Sequence, residues 1–248
     1  MAQQLKGIEK MIIYNGKSKI DGKPIVAIVT GLQRKSNNPK TGNIPQVWIM
    51  RSDIAPNIAV HTGDDYSICG NCKHRGVIVD GKNTKRPCYV TVWQAPLAVY
   101  KAFKRGTYPD YSNNLNGAAD ILRSLVMRIG AYGDPYAIPV TVWDNTLKHV
   151  KAVLGYSHQW KQANKQLMQY CMASVDNEIE AKQANKLGYR YFRTKQFTAS
   201  KIRKETICPA SLDNTTITCA DCKACGGLGA KAKANIVIDL HGRGAKHA

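Results

Sequence analysis

The segment MQYCMASVDNEIEAKQANKLGYRYFRT, residues 168–194, sets the architecture. Met168 to Val175 is an apolar run of strand length, and Tyr189 to Thr194 is a second. Between them Ile179, Ala184 and Leu187 recur near helical spacing, Asp176 stands where a helix cap belongs, and Gly188 follows the end. A strand, a helix and a strand of these lengths place the two strands in parallel through a right-handed crossover. This is the unit of an α/β protein, whose functional loops collect at the carboxyl ends of the strands.

The same alternation extends outward. Ile138 to Leu154 carries Trp143, Leu147, Val150 and Leu154 at helical spacing, with Gly155 as its cap. Leu122 to Gly130 reads as a buried strand, or a helix end running into one, that stops at Gly133-Asp134-Pro135. Tyr89 to Trp93 reads as a strand leading into a helix from Pro96 to Lys104, with proline in the first turn where a missing N–H costs nothing. Before it, Gly76 to Val79 reads as a short strand with a turn at Asp80-Gly81. Pro24 to Thr30 and Gln46 to Met50 read as hairpin-like strands around the turn-rich stretch from Arg34 to Asn43. On the other side, Glu205 to Gly229 is rich in Cys, Gly and Thr, and Asn235 to Gly242 closes the chain as a last strand ending at His241. The expected divisions are a β-rich segment (1–66), an α/β core (67–204), and a Cys-rich loop with the final strand (205–248).

The 248 residues suffice for one full-sized core, and 44% apolar with 21% charged residues is an ordinary globular mixture. Met1 to Lys10 has no apolar signal core, and no run is long and apolar enough to span a bilayer. The expected compartment is therefore the cytoplasm, with no membrane partner, where thiols more often ligate metals than pair as disulfides. The net charge of +19, from 36 Lys and Arg against 17 Asp and Glu, raises the local concentration of polyanions, so DNA or RNA is an expected partner. Solubility alone also accounts for such a charge.

Two groups of cysteines carry the chemistry. Cys219-x-x-Cys222-x-x-Cys225, with Cys208-Pro209 upstream, supplies four thiolates, and successive C-x-x-C steps let a backbone circle a 4Fe-4S cubane. Zinc competes, since four thiolates also close a tetrahedral site, although structural zinc usually takes two separated pairs. Cys69-x-x-Cys72 with Cys88 supplies three thiolates. As cluster ligands they leave one iron open, whereas His61 or His74 would close a Cys/His zinc site. Cys171 lies inside an apolar strand and reads as core.

Further polar residues fall at strand ends: Arg128, Ser157-His158-Gln159-Trp160, and Ser174 with Asp176. His158 and Asp176 are the catalytic candidates; capping, backbone hydrogen bonding and core packing are the plainer roles for such residues. Gly226-Gly227-Leu228-Gly229 follows a cysteine knuckle and not a strand, which excludes a phosphate-binding loop, and neither a nucleophile elbow nor an H-E-x-x-H helix is present.

The order of these pieces resembles the radical S-adenosylmethionine enzymes: cysteines near a first strand, a Gly-Gly-Glu-Pro-like turn, polar strand ends and a cysteine-rich tail. The resemblance implies a partial βα barrel. It implies that Gly133, Asp134 and Pro135 bind S-adenosylmethionine, that Ser174-Val175-Asp176 is a functional strand end, and that Cys208, Cys219, Cys222 and Cys225 hold an auxiliary cluster. The family's C-x-x-x-C-x-x-C triplet is absent, and Cys69, Cys72 and Cys88 stand in its place with wider spacing. The tail is also similar to the cysteine-rich phage gene product eighty-eight family, which implies a phage or bacterial origin. The expected function is an iron–sulfur enzyme; the alternative is a nucleic-acid-binding protein that a cluster or zinc stabilises, without catalysis.

Overall fold

The computed structural model describes residues 7–33 and 40–240. The chain begins with an antiparallel meander of β1 (Lys10–Lys17), β2 (Pro24–Thr30) and β3 (Gln46–Arg51). Ile25 to Val29 are buried on both faces of β2, as befits a central strand. After β3 come two short helices, α1 (Pro56–Thr62) and α2 (Tyr66–Cys69), and a small exposed hairpin of β4 (Val77–Val79) and β5 (Lys82–Thr84). Helices α3 (Ala95–Lys104) and α4 (Leu115–Ile121) lead to β6 (Val126–Tyr132), α5 (Val140–Leu147), β7 (Ala152–Leu154) and β8 (Tyr156–Ser157). The chain continues through β9 (Met172–Val175), α6 (Glu178–Lys186), β10 (Tyr191–Lys195), β11 (Glu205–Ile207), α7 (Cys219–Cys222) and β12 (Asn235–Asp239).

The result is a mixed α/β fold with two five-stranded sheets, ordered β1-β2-β3-β6-β7 and β11-β12-β10-β9-β8. From β3 onward every pairing in both sheets is parallel. The sheets meet where β7 runs into β8 through Gly155, whose N–H donates to the Cys225 carbonyl and whose carbonyl accepts from Met172 N–H. β1 and β11 pair with no strand of the other sheet, and Ile12 of β1 bridges only Asp110, so no closed barrel forms among the described residues. β3 pairs with β6, and β11 and β12 join β10, so both terminal segments are built into the sheets of the central part. Among the described residues, no helix is long and apolar enough to cross a membrane.

Several elements differ from the sequence expectation. The helix over Ile138–Leu154 ends at Leu147, because Ala152–Leu154 is captured as β7 by Val126–Arg128 of β6. Gly155 is thus a junction between strands, not a helix cap. Tyr89–Trp93 forms no strand: the Val90 carbonyl accepts from the Arg86 guanidinium at 2.9 Å, and Trp93 is exposed. Asn177, not Asp176, caps α6 through its side chain, which accepts from Glu180 N–H. The buried face of α6 is Ala181 and Ala184, while Ile179 and Leu187 are exposed. β1 is an additional strand, anchored by Met11, Ile12 and Ile13. His241 and Gly242, and Arg34 to Pro39 of the turn-rich stretch, lie outside the described residues.

Candidate functional site

A cavity of about 480 Å³ opens within the curve of the strands. Much of its wall follows the period-two rule of strands: Leu154 and Tyr156 across the junction, Phe192 and Thr194 on β10, Ile238 and Leu240 at β12, and Arg128, Gly130 and Tyr132 on β6, where Ala131 also reaches it. The parallel strands direct Gly133, Ser157, His158 and Ser174 to the same edge. Cys69, Cys72 and Cys88 line this cavity, and so do Cys208, Cys219 and Cys225. Residues far apart in sequence therefore face one volume. All eight cysteines are free thiols, with Cys171 buried in the core as expected.

The first group is built by a tight loop. Cys69 ends α2, and Gly70 follows at φ 53°, where a β-carbon would meet the Gln159 side chain at 2.6 Å. Only glycine allows that approach, which lets Gln159 Nε2 donate to the Cys69 carbonyl at 3.0 Å. Arg75 clamps the loop by donating to the Gly63 and Gly70 carbonyls and to buried Asp65 at 2.6 Å. Cys88 joins through its N–H to the His74 carbonyl. Burial first, and then the Asp65 carboxylate, push the Cys69 thiol up; burial and then Cys88 do so to Cys72, and burial to Cys88. Three buried polar atoms on this side of the cavity have no hydrogen-bond partner: Asp65 Oδ2, Arg86 Nε and Tyr132 Oη.

The second group hangs between β11 and β12. Cys208 leaves β11 with its N–H on the Val237 carbonyl. Thr218 and Asp221 form a reciprocal capping box on α7, and the Cys219 and Ala220 N–H groups dock on the Lys40 and Thr41 carbonyls. Arg190 fastens the exit by donating to the Ala224, Gly226, Gly227 and Ala234 carbonyls. Cys208, Cys219, Cys222 and Cys225 surround one small pocket beside the main cavity. Burial pushes Cys225 up to about 12, and its neighbours Cys208, Cys219 and Cys222 push in the same direction.

Gly133 and Asp134 line the cavity, while Pro135 packs beneath it against Gly130. The Asp134 carboxylate is turned inward: it accepts from Tyr136 N–H, Ser157 Oγ, His158 N–H and Gln159 N–H, and so locks the loop after β6 to the loop after β8. Burial pushes its pKa up to about 6 against those bonds. His158 bonds Ser174 Oγ through Nε2 at 3.0 Å, and burial, then His74, push it down to about 4. Asp176 sits 3.5 Å from His74 and 3.4 Å from Lys73. His74 thus faces Asp176, and His61 is exposed on α1 away from the cavity. Arg128 donates to Tyr89 Oη at 2.6 Å.

Among the described residues, His74, His158 and Asp176 form the one group of three His, Cys, Asp or Glu ligand atoms within 4.8 Å of one another. Neither cysteine group is drawn that tight, whereas sulfurs around a tetrahedral zinc, each about 2.3 Å from the ion, stand about 3.8 Å apart. Sequence reasoning did not single out Tyr132, Tyr156, Phe192 or Arg190. The first three follow from strand alternation once β6, β8 and β10 are placed; the carbonyl contacts of Arg190 had no local signal.

These features define a mixed α/β protein with two cysteine groups facing one internal cavity. No protein-family model, curated protein or solved structure matches the chain.

Proposed function

We propose that the chain is an iron–sulfur enzyme of the radical S-adenosylmethionine type on a partial βα barrel. Cys69, Cys72 and Cys88 would hold one 4Fe-4S cluster, and Cys208, Cys219, Cys222 and Cys225 an auxiliary one. The observation that carries this reading is the convergence of both cysteine groups on one cavity at the carboxyl edge of parallel strands. What supports it chemically is that each donor set is all-thiolate and free of disulfides. The unpartnered atoms of Asp65, Arg86 and Tyr132 mark the first group as facing a polar ligand.

When bound, such a cluster supplies a low-potential electron and, with three protein ligands, an open iron position. The chain's own residues hold the surroundings. Gly133 brings backbone close to the cavity without a side chain, and Asp134 fixes the two loops that frame it. Phe192 and Tyr156, with ring centroids 4.4 Å apart, form an apolar stretch of the cavity wall. Arg128 places a cation on the same wall, where an anionic group of a substrate or cofactor would pair with it.

The test is anaerobic reduction of iron-loaded protein in the presence of S-adenosylmethionine. The proposal expects 5′-deoxyadenosine from the wild type and none from Cys72→Ser. No product from fully loaded wild type contradicts it. The charge of +19 favours a second reading, a cluster- or zinc-stabilised protein that binds DNA or RNA without catalysis. That reading expects nucleic-acid affinity to fall steeply with added salt, and indifference to nucleic acid contradicts it.

A further inference from the structure

His74, His158 and Asp176 come from three separate loops: the turn after the first C-x-x-C, the end of β8 and the end of β9. Their ligand atoms lie within 4.8 Å of one another, and all three residues are partly accessible. His74 Nε2 is 3.5 Å from Asp176 Oδ1, and the two imidazole rings stand edge to face with centroids 5.4 Å apart. We propose that these three residues bind a single divalent transition-metal ion at the mouth of the cavity, separate from both cysteine groups.

The donor set is two imidazoles and one carboxylate, which suits iron(II), zinc or manganese and leaves coordination positions open. With bonds of about 2.1 Å, adjacent ligand atoms stand about 3.0 to 3.4 Å apart. His74 and Asp176, 3.5 Å apart, are already near that separation, and the His158 ligand atom lies within 4.8 Å of both. The supporting contacts are in place. Ser174 Oγ, 3.0 Å from His158 Nε2, orients that ring, and Glu180 accepts the Asp176 N–H at 2.9 Å. Lys73 Nζ, 3.4 Å from Asp176 Oδ2, is the competing cation, and its side chain is largely exposed and free to leave. His74 and His158 also line the cavity, so the open positions face the entering molecule and take an oxygen or nitrogen donor from it.

The test is titration of the anaerobically purified full chain with Co²⁺, followed by visible absorption. One equivalent is expected to bind with ligand-field bands and no sulfur-to-cobalt charge transfer. Asp176→Asn and His158→Gln are expected to weaken that binding by roughly tenfold or more with iron and sulfide content unchanged. Lys73→Ala, which removes the competing ammonium, is expected to tighten it. Equal Co²⁺ affinity in wild type, Asp176→Asn and Lys73→Ala means that these residues form only an ion-pair network, and overturns the site. Charge transfer from sulfur as the sole Co²⁺ signal overturns it as well. Failure of the iron–sulfur reading shows separately, as iron-free protein whose Co²⁺ titration still responds to Asp176→Asn.

Discussion

Gly70 is the residue on which the first cysteine loop turns. Its positive φ and the approach of Gln159 both exclude a β-carbon, so Gly70→Ala is expected to cost about 1–3 kcal/mol. A lowered thermal midpoint in the mutant is the check. Glu205 and Arg193 form a buried pair at 2.7 Å inside the second sheet. Burial pushes the Glu205 carboxyl up, but the Arg193 guanidinium and Ile202 N–H outweigh it and hold its pKa below the ordinary 4.5. A carboxyl lowered by folding stabilises fully above its unfolded value and loses that contribution as pH falls through the folded one. Denaturant titrations over acid pH should therefore show a loss of stability below the ordinary value, and Glu205→Gln should flatten that loss. Arg193→Ala leaves the carboxylate buried without its cation and should cost about 3–5 kcal/mol at neutral pH. At this scale the C-x-x-C pairs were visible because their spacing is local, whereas the placement of Cys88 and Cys208 on the same cavity depends on the fold. The Asp134 carboxylate was not, because its partners Ser157, His158 and Gln159 lie on another loop.

Among the elements, the cysteine knuckle depends on one side chain from the neighbouring strand. Arg190, just before β10, satisfies carbonyls on both sides of the glycine-rich exit. Arg190→Leu is expected to leave the second sheet folded while amide exchange rises across residues 219–234. Unchanged protection in that segment contradicts the role given to Arg190. Gly227 is pressed against the Met168 carbonyl, where a β-carbon would come within 2.1 Å, so the knuckle also docks by close backbone contact. The strand-helix-strand order of residues 168–194 was legible from its apolar runs, but β9 begins only at Met172, because Leu167–Gln169 winds into a 3-10 turn that periodicity did not mark. The helix over Ile138–Leu154 was overextended because Val150 and Leu154 fit helical spacing, yet pairing of β7 with β6 outweighs that periodicity. Tyr89–Trp93 was misread for the opposite reason: its strand-like composition finds no partner strand, and Arg86 takes the Val90 carbonyl.

For the whole molecule, parallel order from β3 to β11 brings the strand ends together, and the two cysteine groups close on the space between them. The α/β class followed from alternation of strands and helices. The cavity did not, because it depends on which strand faces turn inward once the two sheets meet at Gly155. If both cysteine groups hold clusters as proposed, anaerobically purified protein carries iron together with acid-labile sulfide. Two 4Fe-4S clusters predict about eight irons and eight sulfides per chain, falling to about half in Cys72→Ser and in Cys222→Ser alike. A colourless protein that carries zinc, or no metal, in place of iron contradicts the account.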